Sequence, residues 1–204
     1  MTFVGGRVPS TKGALIRLRD TLSFIKKGKE VLQMKRDQLA GEVNKLLVKL
    51  AIRKEVEGKI SDLLKEVMEI LITLGTEDVS SLASSVPEIS VDFRLYSVMG
   101  VVVPRITVKT QPQTNAISNL SVRKLAEKAK EVLTKMMEMA EIETGIERLA
   151  LELMFTNRKV NALEKVVIPA YEEMIRYIED RLFEQELEEF VRTKFIRDRI
   201  RERR

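Results

Sequence analysis

The side chains on which most enzymes rely are missing from this chain. Among its 204 residues there is no cysteine and no histidine, which removes thiolate nucleophiles, disulfides, and the commonest general base and metal ligand. A pair of carboxylates could still work as acid and base, but the 31 Asp and Glu residues are spread as the solvated faces of helices. No Gly-x-x-x-x-Gly-Lys-Ser/Thr or Gly-x-Gly-x-x-Gly phosphate loop occurs, and Gly5-Gly6-Arg7 and Thr11-Lys12-Gly13 are too short to replace one. The residue types therefore point away from catalysis, from a bound cofactor and from a metal site.

Cationic chemistry remains, and it is concentrated at the ends. Residues 1 to 36 hold nine Lys/Arg against two acids, and residues 192 to 204 hold seven against two. With a net charge of +5 overall, the stretch between them carries −7. A basic segment can contact nucleic-acid phosphates, but only Phe195 interleaves with the C-terminal arginines as a stacking residue. The same segment has little apolar face beyond Phe195, Ile196 and Ile200, a poor anchor for a membrane surface. No eighteen-residue apolar run and no charged-then-apolar leader pattern occurs, so neither a membrane span nor a signal peptide is expected and a cytoplasmic protein is.

The elements that must carry these charges are long helices. Eighteen positions from Leu15 to Leu74 alternate in steps of three and four, and fourteen of them are apolar. Such a heptad marks one half of a coiled-coil seam, roughly 90 Å long if helical throughout. The segment Val8-Pro9-Ser10-Thr11 should start the helix, with a Ser10 or Thr11 hydroxyl capping the first free amides, and Gly75 should end it. From Leu125 to Ile178 a second seam of sixteen positions contains thirteen apolar residues. Pro169 falls inside it and should kink the helix or cost it one hydrogen bond.

Between the seams the pattern changes. Ser/Thr clusters at Thr76 to Ser85 and Thr107 to Ser121 flank a β-rich centre. Ile89, Val91, Phe93 and Leu95 alternate with polar residues; after a turn at Ser97 to Gly100, residues 101–108 read as a return strand, an edge one because Pro104 cannot donate to a ladder. A lone hairpin is marginal unless it packs on the helices. The predicted fold is mainly α: a long antiparallel, left-handed two-helix coiled coil with a small insert containing a β-hairpin at the turn. The expected divisions are residues 1–75, 76–120 and 121–204, the last ending in a basic overhang of roughly eighteen residues.

Fold-back implies that facing residues sum to about 196. Arg53 then faces Glu143, and Lys29 or Arg36 lies near Glu164. These charges, with Glu57, interrupt the apolar seam, and two readings are open: they fix register at some cost in stability, or their long side chains snorkel to water. The segments Lys35-Arg36-Asp37 and Asn157-Arg158 fall near one level and would form a polar collar, serving either as a contact or as a register mark.

Three segments are similar to one family. Val8-Pro9-Ser10-Thr11-Lys12 with Leu15, residues 28–39 (Gly-Lys-Glu-Val-Leu-Gln-Met-Lys-Arg-Asp-Gln-Leu), and residues 156–164 (Thr-Asn-Arg-Lys-Val-Asn-Ala-Leu-Glu) with Val167 and Pro169 resemble the D subunit of A-type and V-type rotary ATPases. The hairpin segment Tyr96 to Val101 with Val103-Pro104 resembles that family as well. Gln33-Met34 stands where many members carry further lysines. The resemblance implies a central rotor shaft, non-catalytic in itself, that passes torque between a ring of three A and three B subunits and an ion-translocating ring in the membrane. It implies an F subunit alongside, a C subunit at the membrane-proximal end, no cofactor and a site peripheral to the membrane. The expected contacts with the surrounding ring are Arg17, Arg19, Lys26, Lys27, Arg197, Arg199 and Arg201, acting as diffuse charges with no dominant member, together with the collar residues Lys35, Arg36, Asp37, Asn157 and Arg158. Without the resemblance, a free-standing coiled-coil adaptor or spacer, or a basic nucleic-acid binder, would compete.

Overall fold

A computed structural model describes residues 9–110, 112–114 and 117–202; Gly5-Gly6-Arg7, Val8, Arg203 and Arg204 lie outside them. The elements are α1 (Lys12–Leu50), α2 (Arg53–Leu74), α3 (Thr76–Ser84), β1 (Ser90–Val98), β2 (Val101–Thr110), α4 (Leu120–Ala162), a π-helical turn (Leu163–Val167) and α5 (Ile168–Glu202). The fold is a mainly α antiparallel coiled coil with a two-stranded hairpin between its helices. The chain divides into two compact units, one of Met1–Arg36 with Phe155–Arg204 and one of Asp37–Met154.

Helix ends follow the local chemistry. Thr11 Oγ1 accepts a hydrogen bond from the Ala14 amide at 3.2 Å, satisfying one of the free donors of the first turn. Asn119, a cap that the sequence pattern does not single out, does the same for α4: its Oδ1 accepts from Ser121 N–H at 2.9 Å and from Val122 N–H at 3.4 Å. Gly75 ends α2 at φ 85° and donates its amide to Leu71 O at 3.0 Å, a left-handed stop that glycine enters without steric cost. The residues that follow, where a Ser/Thr cluster suggests a loop, instead form α3. Glu77 and Asp78 sit in its first turn, where acids complement the helix dipole, and Val79, Leu82 and Val86 supply a half-buried apolar stripe.

In the first unit α1 keeps its seam. Leu15, Leu18, Leu22, Ile25, Lys29, Leu32 and Arg36 are all partly buried. The opposing helix differs from the unbroken heptad expected of it. Its buried positions are Thr156, Val160, Ile168, Ile175 and Ile178, with Leu163, five residues before Ile168, Val167, Tyr171, Met174 and Leu182 partly buried. Thr156 thus replaces the exposed Asn157, while Ile168 and Ile175 are buried more deeply than the partly buried Val167 and Met174 beside them. The five-residue step is the π-helical turn, in which Ile168 N–H donates to Leu163 O. A π turn holds one more residue than an α turn, so it takes up a one-residue slip in the seam. Pro169 lies two residues beyond the turn, and the widened turn also spares the proline ring its clash with the carbonyl four residues back.

In the second unit the N-terminal helix is interrupted at Ala51 and Ile52, where the amides bond three residues back, Ala51 to Val48 O and Ile52 to Lys49 O, both at 3.3 Å. That tighter turn advances the phase, so Val56 is buried to 1% exposure in place of Glu57, and Leu63 is half-buried while Leu64 is exposed. The single helix to Leu74 is therefore two helices, and Arg53 and Glu57 leave the seam, with side chains 54% and 55% exposed.

The hairpin belongs to this unit. β1 and β2 pair antiparallel through a two-residue turn whose central residues Met99 and Gly100 both have positive φ, 54° and 85°, the twist that suits adjacent strands. Tyr96 pairs with Val103, and Val103 is 1% exposed. Its seat is Gly145 of α4: a Cβ there would lie 3.3 Å from Leu46 Cδ1 and 3.4 Å from Val103 Cγ1. Glu141 closes the edge by accepting from Ile106 N–H at 2.9 Å, with Arg105 Nε 3.8 Å from its other oxygen. The hairpin packs about 38 Å along α4 from its first residue, rather than at the far end of the helices. Phe93 and Leu95 face outward, 68% and 73% exposed.

Candidate functional site

The chain's candidate surfaces are cationic and apolar. Among the described residues there is no group of three His, Cys, Asp or Glu side chains that could hold a metal, and no helix is long and apolar enough to cross a membrane.

At the N-terminal end of α1 the cations separate into two sets. Lys12, Arg19 and Lys26 pair across the helices with Glu186, Glu179 and Glu172 at 2.7, 2.6 and 2.7 Å. Partners in all three pairs sum to 198. The Glu186 carboxylate, by hydrogen bond and then by charge, raises the pKa of Lys12. Arg17 and Lys27, expected alongside Arg19 and Lys26 as one contact group, make no ion pair among the described residues. The hydroxyl of Thr21 donates to the Arg17 carbonyl at 2.8 Å, a backbone contact that does not involve the guanidinium.

The C-terminal stretch of α5 carries the third group. Arg197 Nε lies 3.8 Å from Asp198 Oδ1, while Arg199 and Arg201 have no ion pair among the described residues. The apolar content of this stretch exceeds what the sequence suggests. Phe183, Leu187, Phe190, Phe195, Ile196 and Ile200 are each more than half exposed, and Leu187, Val191, Phe195 and Ile196 line a shallow groove with Glu188 and Arg192. The signal that could have revealed it is the spacing of Leu187, Val191 and Phe195, one ridge at steps of four.

Of the collar residues, Lys35, Arg36 and Asp37 are each engaged by another group, while Asn157 and Arg158 are exposed. The seam charges fall as follows. Lys29 is mostly buried along its stem and its Nζ lies 3.7 Å from Glu164 Oε1. Arg53 Nη1 lies 3.2 Å from Glu143 Oε1, and its Nε donates to Glu57 Oε1 at 2.8 Å. The Glu57 hydrogen bond and then the Glu143 charge raise the Arg53 pKa. Glu143 Oε1 is buried without an aligned hydrogen bond, so the Arg53 contact to it is one of charge. Farther along, Lys59 and Lys135 bridge Glu55 and Glu131 in a four-membered cluster. Lys59 first, by hydrogen bond and charge, lowers the Glu55 pKa; Lys135 first, then Lys59, lowers that of Glu131.

A family model for the D subunit of ATP synthase matches residues 14–198. The chain is 33% identical to the D subunit of the A-type ATP synthase of Thermococcus kodakarensis over 96% of each chain. It is 36% identical to that of Methanosphaera stadtmanae over 95% of this chain and 94% of the relative, and 34% identical to that of Methanobrevibacter smithii over 93% and 86%.

Proposed function

We propose, for a chain that belongs to the family of ATP synthase D subunits, that it is the central shaft of a rotary ATPase, non-catalytic in itself. In this reading it passes torque between a catalytic ring of A and B subunits and an ion-translocating ring in the membrane, with F and C subunits as its neighbours. It sits on the cytoplasmic side, peripheral to the membrane. The observation that carries the reading is the C-terminal part of α5, from Phe183 onward, where apolar side chains stay exposed between cations. Exposed apolar surface of this extent marks a place for a partner, and cations dispersed around it favour a diffuse field over a fixed pair. Arg17, Lys27, Arg199 and Arg201, which have no ion pair among the described residues, are the cations best placed to supply that field. The collar at Lys35, Arg36, Asp37, Asn157 and Arg158 is a second contact level in the same reading.

Reconstitution of the full chain with A and B subunits tests it. ATP hydrolysis should drive rotation of a probe fixed to this chain, and removal of residues 187–204 should leave hydrolysis but uncouple it from rotation. Rotation that persists without residues 187–204 would overturn this assignment of the contact surface. No dependence of ATPase activity or rotation on the chain would overturn the shaft itself.

A further inference from the structure

The three pairs Lys12–Glu186, Arg19–Glu179 and Lys26–Glu172 are spaced by seven residues on both helices. Five of the six charges lie four residues beyond a seam position: Arg19 follows Leu15 and Lys26 follows Leu22, while Glu172, Glu179 and Glu186 follow Ile168, Ile175 and Leu182. They occupy the flank where opposite charges set partner choice in a coiled coil. The signs are segregated: the α1 row is wholly cationic and the α5 row wholly anionic. All six side chains are substantially exposed, so each pair adds little to stability. Segregation does something that stability does not require. If two copies of α1 met antiparallel about Arg19, Lys12 would face Lys26 and Arg19 would face Arg19. Two copies of α5 would set Glu172 against Glu186 and Glu179 against Glu179.

We propose that this ladder is a partner-selecting device: it admits the chain's own C-terminal helix to the α1 seam and rejects a second copy of either helix. Such selection acts while the chain is folding. The α1 seam is synthesised about 150 residues before Glu172, a delay of roughly 7 to 30 s. During that delay an apolar stripe is available to the same stripe on a neighbouring chain, and like charges on its flank disfavour that encounter.

Two double swaps in the full-length chain separate selection from stabilisation. Arg19→Glu with Glu179→Arg keeps all three internal pairs and still opposes like to like in both homotypic pairings, because residue 19 meets itself. Lys12→Glu with Glu186→Lys also keeps three internal pairs, but now residue 12 attracts residue 26 in an α1 pair, and residue 186 attracts residue 172 in an α5 pair. Each chain is refolded from denaturant over a range of concentrations, and dimer and larger species are measured by sedimentation. At low salt the Lys12/Glu186 swap should yield several-fold more associated chain than the wild type, and the Arg19/Glu179 swap should match the wild type. At 1 M salt, where screening shortens to about 3 Å, the difference should vanish. Complete association of the Lys12/Glu186 variant at low salt with recovery at high salt is the same result in stronger form. Equal association of the two swapped variants, or a difference that survives 1 M salt, overturns the proposal.

Discussion

The two interruptions in the long helices solve one problem by opposite means. At Ala51 and Ile52 the backbone bonds three residues back and the helix tightens. At Leu163–Val167 it bonds five residues back and widens. Each follows from a one-residue slip in the apolar pattern, in opposite directions: Val56 arrives one residue before the heptad position at Glu57, and Ile168 one residue after that at Val167. A helix has few ways to re-phase its buried face without breaking, and local overwinding or underwinding are two of them. Backbone geometry has yielded to side-chain burial at both sites.

Changing the chain length at each interruption has the largest expected effect. Deleting exposed Val166, with Pro169→Ala in the same chain to remove the ring that would clash with the carbonyl four residues back in a regular α turn, should convert the π turn to α-helix and leave Ile168, Ile175 and Ile178 on the seam. Inserting one alanine after Ala51 should likewise let α1 and α2 merge while Val56 stays buried. Both variants should unfold close to the wild-type temperature. By contrast, deleting exposed Arg176 from the regular part of α5 rotates Ile178 off the seam, at a cost of about 2–5 kcal/mol, as for loss of one large buried aliphatic side chain. Thermal unfolding followed by circular dichroism checks all three. A Val166 deletion in the Pro169→Ala background as damaging as the Arg176 deletion would mean that the π turn does not absorb a slip.

The units differ further in how their helices are held. The first relies on a two-helix seam, whereas the second adds a hairpin seated on Gly145. Gly145→Leu should push Val103 from its seat and destabilise the second unit by about 1–3 kcal/mol, the usual range for overpacking. Limited proteolysis should then cut near Met99–Gly100, and an unchanged cleavage pattern would show the hairpin docked by other means. Gly145→Ala should be much milder, because its Cβ requires the methyls of Leu46 and Val103 to give by only a few tenths of an ångström.

Much of this is legible in the residues. The heptads at Leu15 to Leu50, the Gly75 stop and the Val101–Val108 strand carry strong local signals. The slips at Val56 and Ile168 are not legible, because Leu63 and Leu64, like Ile70 and Leu71, offer apolar residues in either phase, and only packing against the facing helix chooses between them. The seat of the hairpin is hidden because nothing in the local sequence marks Gly145 as a contact until Val103 is brought to it from forty-two residues away. The Lys12–Glu186 ladder requires both the overall register and the π-turn slip. Beyond that turn each facing partner is numbered one higher, which contributes to sums of 198 there against 190 to 196 for pairs within the second unit.

A smaller effect concerns the charges that left the seam. Arg53→Glu should lower the unfolding temperature modestly by placing a second carboxylate near Glu143 and Glu57. Adding Glu143→Arg should recover part of that loss; no recovery would show that the contact at 3.2 Å has no energetic coupling.

The smallest effect separates the two units by pH. Glu55 and Glu131 have folded-state pKa values below the ordinary 4.5 because Lys59 and Lys135 favour their charged forms. As pH falls through that range the unfolded chain takes up protons first, so the contribution of this cluster is present above about pH 4.5 and is lost below it, through the folded-state values. Replacing Lys59 and Lys135 together by methionine removes the cause of both shifts. Stability of the double variant should therefore fall less steeply than that of the wild type between about pH 5 and pH 3, measured as denaturant midpoints at fixed ionic strength. Parallel slopes would mean that Lys59 and Lys135 hold the two carboxylates no more strongly in the folded chain than in the unfolded one, leaving the cluster as an arrangement of neighbours without linkage to folding.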